Sequence, residues 1–229
     1  MRDLTKALVK ILISVSLLWL TFVSAASTTQ YPAEFAINLQ SGFGGIDTPA
    51  TNTTDPVTGI HIHDQHLQQG MSWRVSTSYL FTATPVFKWG PEFGYAQVPD
   101  NSYQLTGGEV GTAKWSSVYF DFALAAHLVV VQNYSIICKV GLVDILQKTS
   151  LNIAGQNNIT NQDAMMAPEF VLGLGYQFTP QINLNLTYNE MVANEIDPTI
   201  NAVTNIQDGQ DLGNVAKLTT YLFGISYLF

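Results

Sequence analysis

Every second residue from Tyr221 to Phe229 is aromatic or branched apolar. Tyr221, Phe223, Ile225, Tyr227 and Phe229 share one parity, and Thr220, Gly224 and Ser226 fall on the other. A period of two is the repeat of a β-strand, whose successive side chains point to opposite faces, and it does not match the three-to-four-residue stripe of a helix.

The same alternation recurs in seven earlier segments. Phe35, Ile37, Leu39, Ser41 and Phe43 oppose Glu34, Ala36, Asn38, Gln40 and Gly42; Trp73, Val75, Thr77, Tyr79 and Phe81 oppose Ser72, Arg74, Ser76 and Ser78. A third segment sets Phe87, Trp89, Phe93 and Tyr95 against Lys88, Gly90, Glu92, Gly94 and Ala96, and a fourth sets Val118, Phe120, Phe122 and Leu124 against Ser117, Tyr119, Asp121 and Ala123. A fifth, weaker one alternates Ile136, Cys138, Val140 and Leu142 with Ile137, Lys139 and Gly141. In the sixth, Phe170, Leu172, Leu174, Tyr176 and Phe178 oppose Glu169, Val171, Gly173, Gly175 and Gln177; in the seventh, Ile182, Leu184, Leu186 and Tyr188 oppose Asn183, Asn185, Thr187 and Asn189. Two places fit less well. Pro91 removes a ladder donor inside the third strand and predicts a bulge or frayed register there, and the unbroken apolar run Leu128 to Val131 blurs the following turn.

Connections alternate between long and short. Roughly residues 45 to 70, 97 to 115, 144 to 164 and 190 to 217 are rich in Asn, Thr, Asp, Gly and Gln, whereas Thr82 to Pro85, His127 to Asn133 and Thr179 to Gln181 are compact. Short turns at one end and long loops at the other are the pattern of outer-membrane barrels. The sequence therefore predicts an all-β fold: an eight-stranded antiparallel up-and-down transmembrane β-barrel. An even strand count puts both termini on the periplasmic side and the four long loops outside.

A period-two barrel can also be soluble, and the size of the two faces decides which way it is turned. An eight-stranded barrel has an interior that side chains just fill, so Phe, Tyr and Trp in bulk do not fit there, while Gly, Ala, Ser and Asn do. The aromatic parity must then face lipid. Tyr79, Phe81, Phe87, Trp89, Tyr176, Phe178, Tyr227 and Phe229 gather near one end of their strands, as an interfacial girdle requires. An ordinary soluble sandwich would put polar residues on its exposed parity instead.

The N-terminus agrees with export. Arg2, Lys6 and Lys10 precede an uncharged apolar run from Ile11 to Val23, followed by small residues around Ser24 and Ala25. About 13 residues are too few for a spanning helix, which needs roughly 20, so residues 1–25 read as a signal peptide and 26–229 as the barrel. Three of the nine basic residues and one of the seventeen acidic ones lie in the signal, which leaves the mature chain at −10 with His neutral. That sign makes nucleic acid an unsuitable partner. The single cysteine, Cys138, cannot form an intramolecular disulfide.

The run Pro168-Glu169-Phe170-Val171-Leu172-Gly173-Leu174-Gly175-Tyr176-Gln177-Phe178-Thr179-Pro180, continuing through Leu184 to Tyr188, resembles the penultimate hairpin of the OmpA-like outer-membrane β-barrel family. Tyr221 to Phe229 is similar to that group's terminal strand. The resemblance implies a bacterial outer-membrane location and insertion by the assembly machinery, which reads a terminal strand with an aromatic last residue; Tyr221, Phe223, Ile225, Tyr227 and Phe229 meet that description. Nothing follows Phe229, so the peptidoglycan-binding domain of full-length OmpA proteins is not expected here.

Candidate chemistry is sparse. Six charges, three of each sign, fall on the inward parity: Arg74, Lys88, Glu92, Asp121, Lys139 and Glu169. Isolated charges in a narrow lumen are costly, so the set predicts ion pairing or solvation and favours a plug over a conducting path. His61-Ile62-His63-Asp64-Gln65-His66 has the density of a metal site but lies in a loop without a fixed second shell, and reads as polar surface. No Ser-His-acid set is brought together by the loop order. The sequence thus points to a non-enzymatic, cofactor-free, metal-free monomer, in contact with outer-membrane lipids and with host or envelope ligands through loops bearing Asp47, Asp55, Asp64, Asp100, Glu109, Asp163, Glu195, Asp197, Asp208 and Asp211. A narrow porin for small or apolar solutes is the alternative, and a lipid-modifying enzyme a remote one.

Overall fold

A computed structural model of the protein describes residues 33–46, 53–54, 61–63, 71–106, 111–153, 159–192 and 217–229. The expected signal peptide lies outside the described residues, as does most of the first and the last long connection.

Eight long strands carry the fold: β1 (Ala33–Ile46), β2 (Met71–Thr84), β3 (Phe87–Thr106), β4 (Gly111–Val131), β5 (Tyr134–Ile153), β6 (Ile159–Gln177), β7 (Ile182–Met191) and β8 (Leu218–Leu228). Each pairs antiparallel with its neighbours in sequence. β8 lies between β7 and β1, with Tyr227 opposite both Ile182 and Ile37 and Tyr221 opposite both Tyr188 and Phe43. The ring is therefore closed through the apolar belt, so at that level no sheet edge faces the surroundings.

Closure with a side-chain period of two sorts the residues into two populations. Facing out are Ile37, Leu39, Val75, Phe120, Phe122, Leu124, Val140, Leu142, Phe170, Leu172, Leu174, Leu186 and Phe223, all exposed. Facing in are Asn38, Gln40, Arg74, Ser76, Glu92, Asp121, Lys139, Glu169, Asn185 and Thr187, all buried. This inverts a soluble protein. The outward belt ends in charge toward the loops: Asp144 follows Leu142 on β5, and Glu190 follows Tyr188 on β7 and pairs with Lys217 at 2.7 Å. At the turn end it is rimmed by ring contacts, Phe81–Trp89 at 5.5 Å, Tyr134–Tyr176 at 4.9 Å and Tyr227–Phe229 at 4.8 Å.

Three expectations are corrected. Residues 97 to 115 and 144 to 164 are not mainly loop: β3 and β4 run to Thr106 and from Gly111, and β5 and β6 run to Ile153 and from Ile159. Polar Ser, Thr, Asn and Gln hide a strand once it leaves the apolar belt, because its outward face no longer has to be greasy. The apolar run at Leu128 to Val131 likewise continues β4, leaving a two-residue turn at Gln132-Asn133 in which Gln132 adopts a positive φ of 33°; an irregularity between Val129 and Val131 absorbs the misfit.

Third, of the bulge or frayed register expected at Pro91, no bulge forms and only a local lapse of pairing occurs. Ser78 opposite Glu92 and Phe81 opposite Trp89 belong to one register, and pairing with β2 merely lapses between them, while on the β4 side Pro91 sits opposite Leu124 in sequence with its neighbours. The missing donor faces β2 only. Gly90 beside it lets β2 come close: the Tyr79 carbonyl oxygen occupies the space that a Cβ would need.

The strands are unequal. β3 to β6 have 19 to 21 residues, but β7 and β8 have 10 and 11. The β6–β7 ladder reaches only to Glu169 opposite Met191, whereas the β5–β6 ladder continues to Leu151 opposite Ile159. From residue 168 to 159 that is a rise of about 30 Å along the strand. One side of the loop-end rim is thus a raised four-stranded sheet, whose outer edge is extended by His61–His63 pairing with Gln104 to Thr106.

Candidate functional site in the barrel lumen

The lumen is layered, because each strand contributes one inward residue per two positions and the register stacks them. From the turn end upward there is a polar vestibule, then a charged layer, then a mainly apolar layer beneath the loops.

In the charged layer Arg74 is the hub. Its Nε and Nη2 donate to the two carboxylate oxygens of Asp121 at 3.0 and 2.5 Å, and its Nη1 donates to Gln40 Oε1 at 2.9 Å and Ser76 Oγ at 3.1 Å. Nη2 also lies 2.8 Å from Glu92 Oε1, which accepts from Lys139 Nζ at 2.6 Å and from Ser76 Oγ at 3.0 Å. Gln40 extends the network by donating to Asn185 Oδ1 at 2.9 Å, and Asn185 donates to Ser226 Oγ at 2.8 Å. Arg74 is 2% exposed and Glu92 1%. Planar bidentate pairing suits Arg and a carboxylate, and only when such contacts are complete does a buried pair offset its desolvation. Gly94 makes room for it: a Cβ there would press against the Asp121 carboxylate and lie 2.7 Å from Arg74 Nη2.

The six inward charges of the sequence all lie in the lumen, but the structure does not bring all six together. Lys88 sits apart at the turn end and pairs with Glu34 at 2.6 Å, where the two side chains are 25% and 28% exposed. Glu34 is a seventh inward charge, omitted from the balanced six although its parity placed it there. Without Lys88 the central group holds two cations, Arg74 and Lys139, against three carboxylates, Glu92, Asp121 and Glu169. Glu169 is 1% exposed, and neither carboxylate oxygen has a hydrogen-bond partner among the described residues.

Above this layer the lumen is mainly apolar. Val98, Trp115, Val143, Ile145, Ala167, Met191 and Leu218 are all buried, and among them Gln147 Nε2 donates to Ser117 Oγ at 3.1 Å. Trp115 and Tyr119 are large inward aromatics that the small-interior argument did not anticipate; their parity, shared with Ser117 and Asp121, was the available signal. Below the charged layer, Glu34, Asn38, Ser78, Lys88, His127 and Asn183 line part of a vestibule of about 60 Å³.

The residues expected to signal assembly lie on β8. Tyr221, Phe223, Ile225, Tyr227 and Phe229 are exposed on the outward face. Phe229 donates its backbone N–H to Phe35 O at 2.9 Å and packs on the Phe35 ring at 5.7 Å, so the last residue closes the seam with β1. Cys138 faces outward on β5. Of the histidine-rich segment, only the backbone of His61–His63 is described; Asp64 to His66 lie outside the described residues. Among loop acids, Asp100 and Asp163 stand on β3 and β6, and Asp100 pairs with Lys114 at 2.6 Å.

A closed antiparallel barrel with an apolar belt outside and a hydrogen-bonded polar interior is a transmembrane β-barrel of the outer-membrane type. This is also the architecture that the resemblance to OmpA-like barrels implied. Neither a protein-family model nor a curated protein matches the chain. Among solved structures, it is similar to the attachment invasion locus protein Ail of Yersinia pestis (13% identity over 88% of this chain and 100% of that one, TM-score 0.48). It is also similar to the outer membrane protein OprG of Pseudomonas aeruginosa (12%, 87% and 97%, TM-score 0.47) and to Neisserial surface protein A (12%, 86% and 97%, TM-score 0.43).

Proposed function

We propose that the chain is a non-enzymatic, monomeric surface protein of a bacterial outer membrane, with both termini periplasmic, that acts by contact at its loop end in envelope integrity, adhesion or host contact. The observation that carries this reading is the layering of the lumen. An ion-paired layer around Arg74 and a mainly apolar, side-chain-filled layer from Val98 to Leu218 lie in series across the barrel, and together they oppose the passage of a hydrated solute. The raised sheet formed by β3 to β6 supports the same reading, since it gives the loops a rigid wall beyond the belt on which to present a ligand-facing surface.

The test is conductance of the refolded protein in a planar lipid bilayer. A silent membrane is expected; reproducible unit steps would favour the narrow porin instead. Membrane-embedded protein should also leave lipid A and phospholipid acyl chains intact, and turnover lost on substituting His127 would overturn the non-enzymatic part.

A further inference from the structure

The apolar belt is notched on one side. Along the rung that crosses β3 to β6, Trp89 stands opposite Ala126, Ala126 opposite Cys138 and Cys138 opposite Leu172, so two small outward residues lie side by side between two large ones. The rung above carries Pro91, Leu124, Val140 and Phe170, and the rung below carries Phe87, Leu128, Ile136 and Leu174. Small residues ringed by bulky ones leave an outward groove of about 360 Å³, lined by Phe87, Trp89, Leu124, Ala126, Cys138 and Val140. Lys139 also borders it, but its ammonium group turns inward to Glu92 at 2.6 Å. The volume is that of a small-molecule pocket, roughly 300–1,000 Å³.

We propose that this groove holds one acyl chain of a membrane phospholipid from the leaflet at the turn end, bound through its chain and longer-lived there than the lipids around the rest of the belt. Against lipid tails the hydrophobic effect favours no partner, so packing decides what fills the notch, and small residues are what allow close approach. Left unfilled, Ala126 and Cys138 would forfeit dispersion contacts on their outer side. A flexible hydrocarbon chain is thin enough to restore them. The belt of a second copy is convex and set with bulky side chains, which would rest on Trp89 and Leu172 rather than enter between them. Trp89 belongs to the turn-end rim through its contact with Phe81, which assigns the leaflet. Among the described residues the outward face at that end bears no charged side chain, since Glu34 and Lys88 pair on the lumen side, so the headgroup is not selected. The site depends on the barrel's seating in lipid and not on what its loops contact.

Native mass spectrometry of protein extracted from vesicles of phosphatidylethanolamine and phosphatidylglycerol should show one phospholipid retained per barrel at a detergent concentration that strips the rest. The two headgroups should be retained in the proportion in which the vesicles hold them. Ala126→Leu repeats the side chain of Leu124 and Leu128 on the groove floor, and should fold yet carry no lipid under those conditions. Cys138→Leu fills the same floor from β5 and should behave alike. In vesicles, a phospholipid with a photoreactive diazirine in mid-chain should label residues 134–140 several-fold more than residues 221–229 of β8, and Ala126→Leu should level the two. No lipid retained by the wild type, a lipid retained equally by both Leu variants, equal labelling of the two strands, or retention of one headgroup alone would each overturn the proposal. So would a Cys138–Cys138 disulfide formed on mild oxidation in vesicles, which would give the groove to a second copy.

Discussion

Replacing Arg74 by Ala isolates what the charged layer contributes. The substitution removes four hydrogen bonds and two ion pairs at once. Glu92 keeps Lys139 at 2.6 Å, so the damage concentrates on Asp121, which loses its cation while fully enclosed. Removing one partner of a buried pair costs about 3–5 kcal/mol. With a urea m-value of about 2 kcal/mol/M, the unfolding midpoint of the refolded protein should fall by roughly 1.5–2.5 M. The double variant Arg74→Met, Asp121→Leu leaves no orphaned charge and replaces the pair by apolar groups of similar bulk. It should recover most of the loss, ending within about 2 kcal/mol of the wild type. A midpoint drop equivalent to less than about 1 kcal/mol for Arg74→Ala would mean that water solvates Asp121 freely, and the sealed layer would be refuted.

Gly94→Ala forces a methyl group against Asp121 and Arg74, and the same titration should show a loss of about 1–3 kcal/mol, the usual cost of overpacking. Lys88→Ala removes a pair with both ends partly in solvent, and should change stability by less than about 1 kcal/mol; a larger loss would place it in the central network after all. Deleting Phe229 takes away the final backbone bond to Phe35 and its ring contacts. Quantitative blotting of membrane fractions should show several-fold less inserted protein, and unchanged levels would contradict its role in assembly. Protease added to intact cells should cut within residues 193–216 and spare Thr82 to Pro85; cleavage at Thr82 to Pro85 from outside would reverse the orientation.

Much of this was legible because lipid and a narrow lumen impose opposite demands on alternate residues. Phe120, Phe122 and Leu124 against Tyr119, Asp121 and Ala123 can be satisfied in only one way, and the structure has them so. Beyond the belt that opposition disappears. Ser150, Asn152, Thr160 and Gln162 belong to strands whose outward face meets water, so the alternation fades although the ladder continues. Pairing partners were illegible for a different reason. Parity places Arg74, Glu92 and Asp121 inside, but which carboxylate meets which cation depends on the stagger between strands, and that is fixed by turns such as Gln132-Asn133 and by the irregularity between Val98 and Asn101. The charge balance failed through Glu34, which lies on the inward parity near the mouth of the vestibule and draws Lys88 away from the centre.

The central claim is that the barrel is turned inside out in a lipid bilayer, and the single native cysteine reads this directly. Cys138 points outward from β5 between Ile136 and Val140, both exposed apolar residues of the belt. A nitroxide attached there in vesicle-embedded protein should be relaxed strongly by molecular oxygen and weakly by a water-soluble nickel chelate. Strong relaxation by the chelate and weak relaxation by oxygen would put Cys138 in water, and the transmembrane account would be wrong.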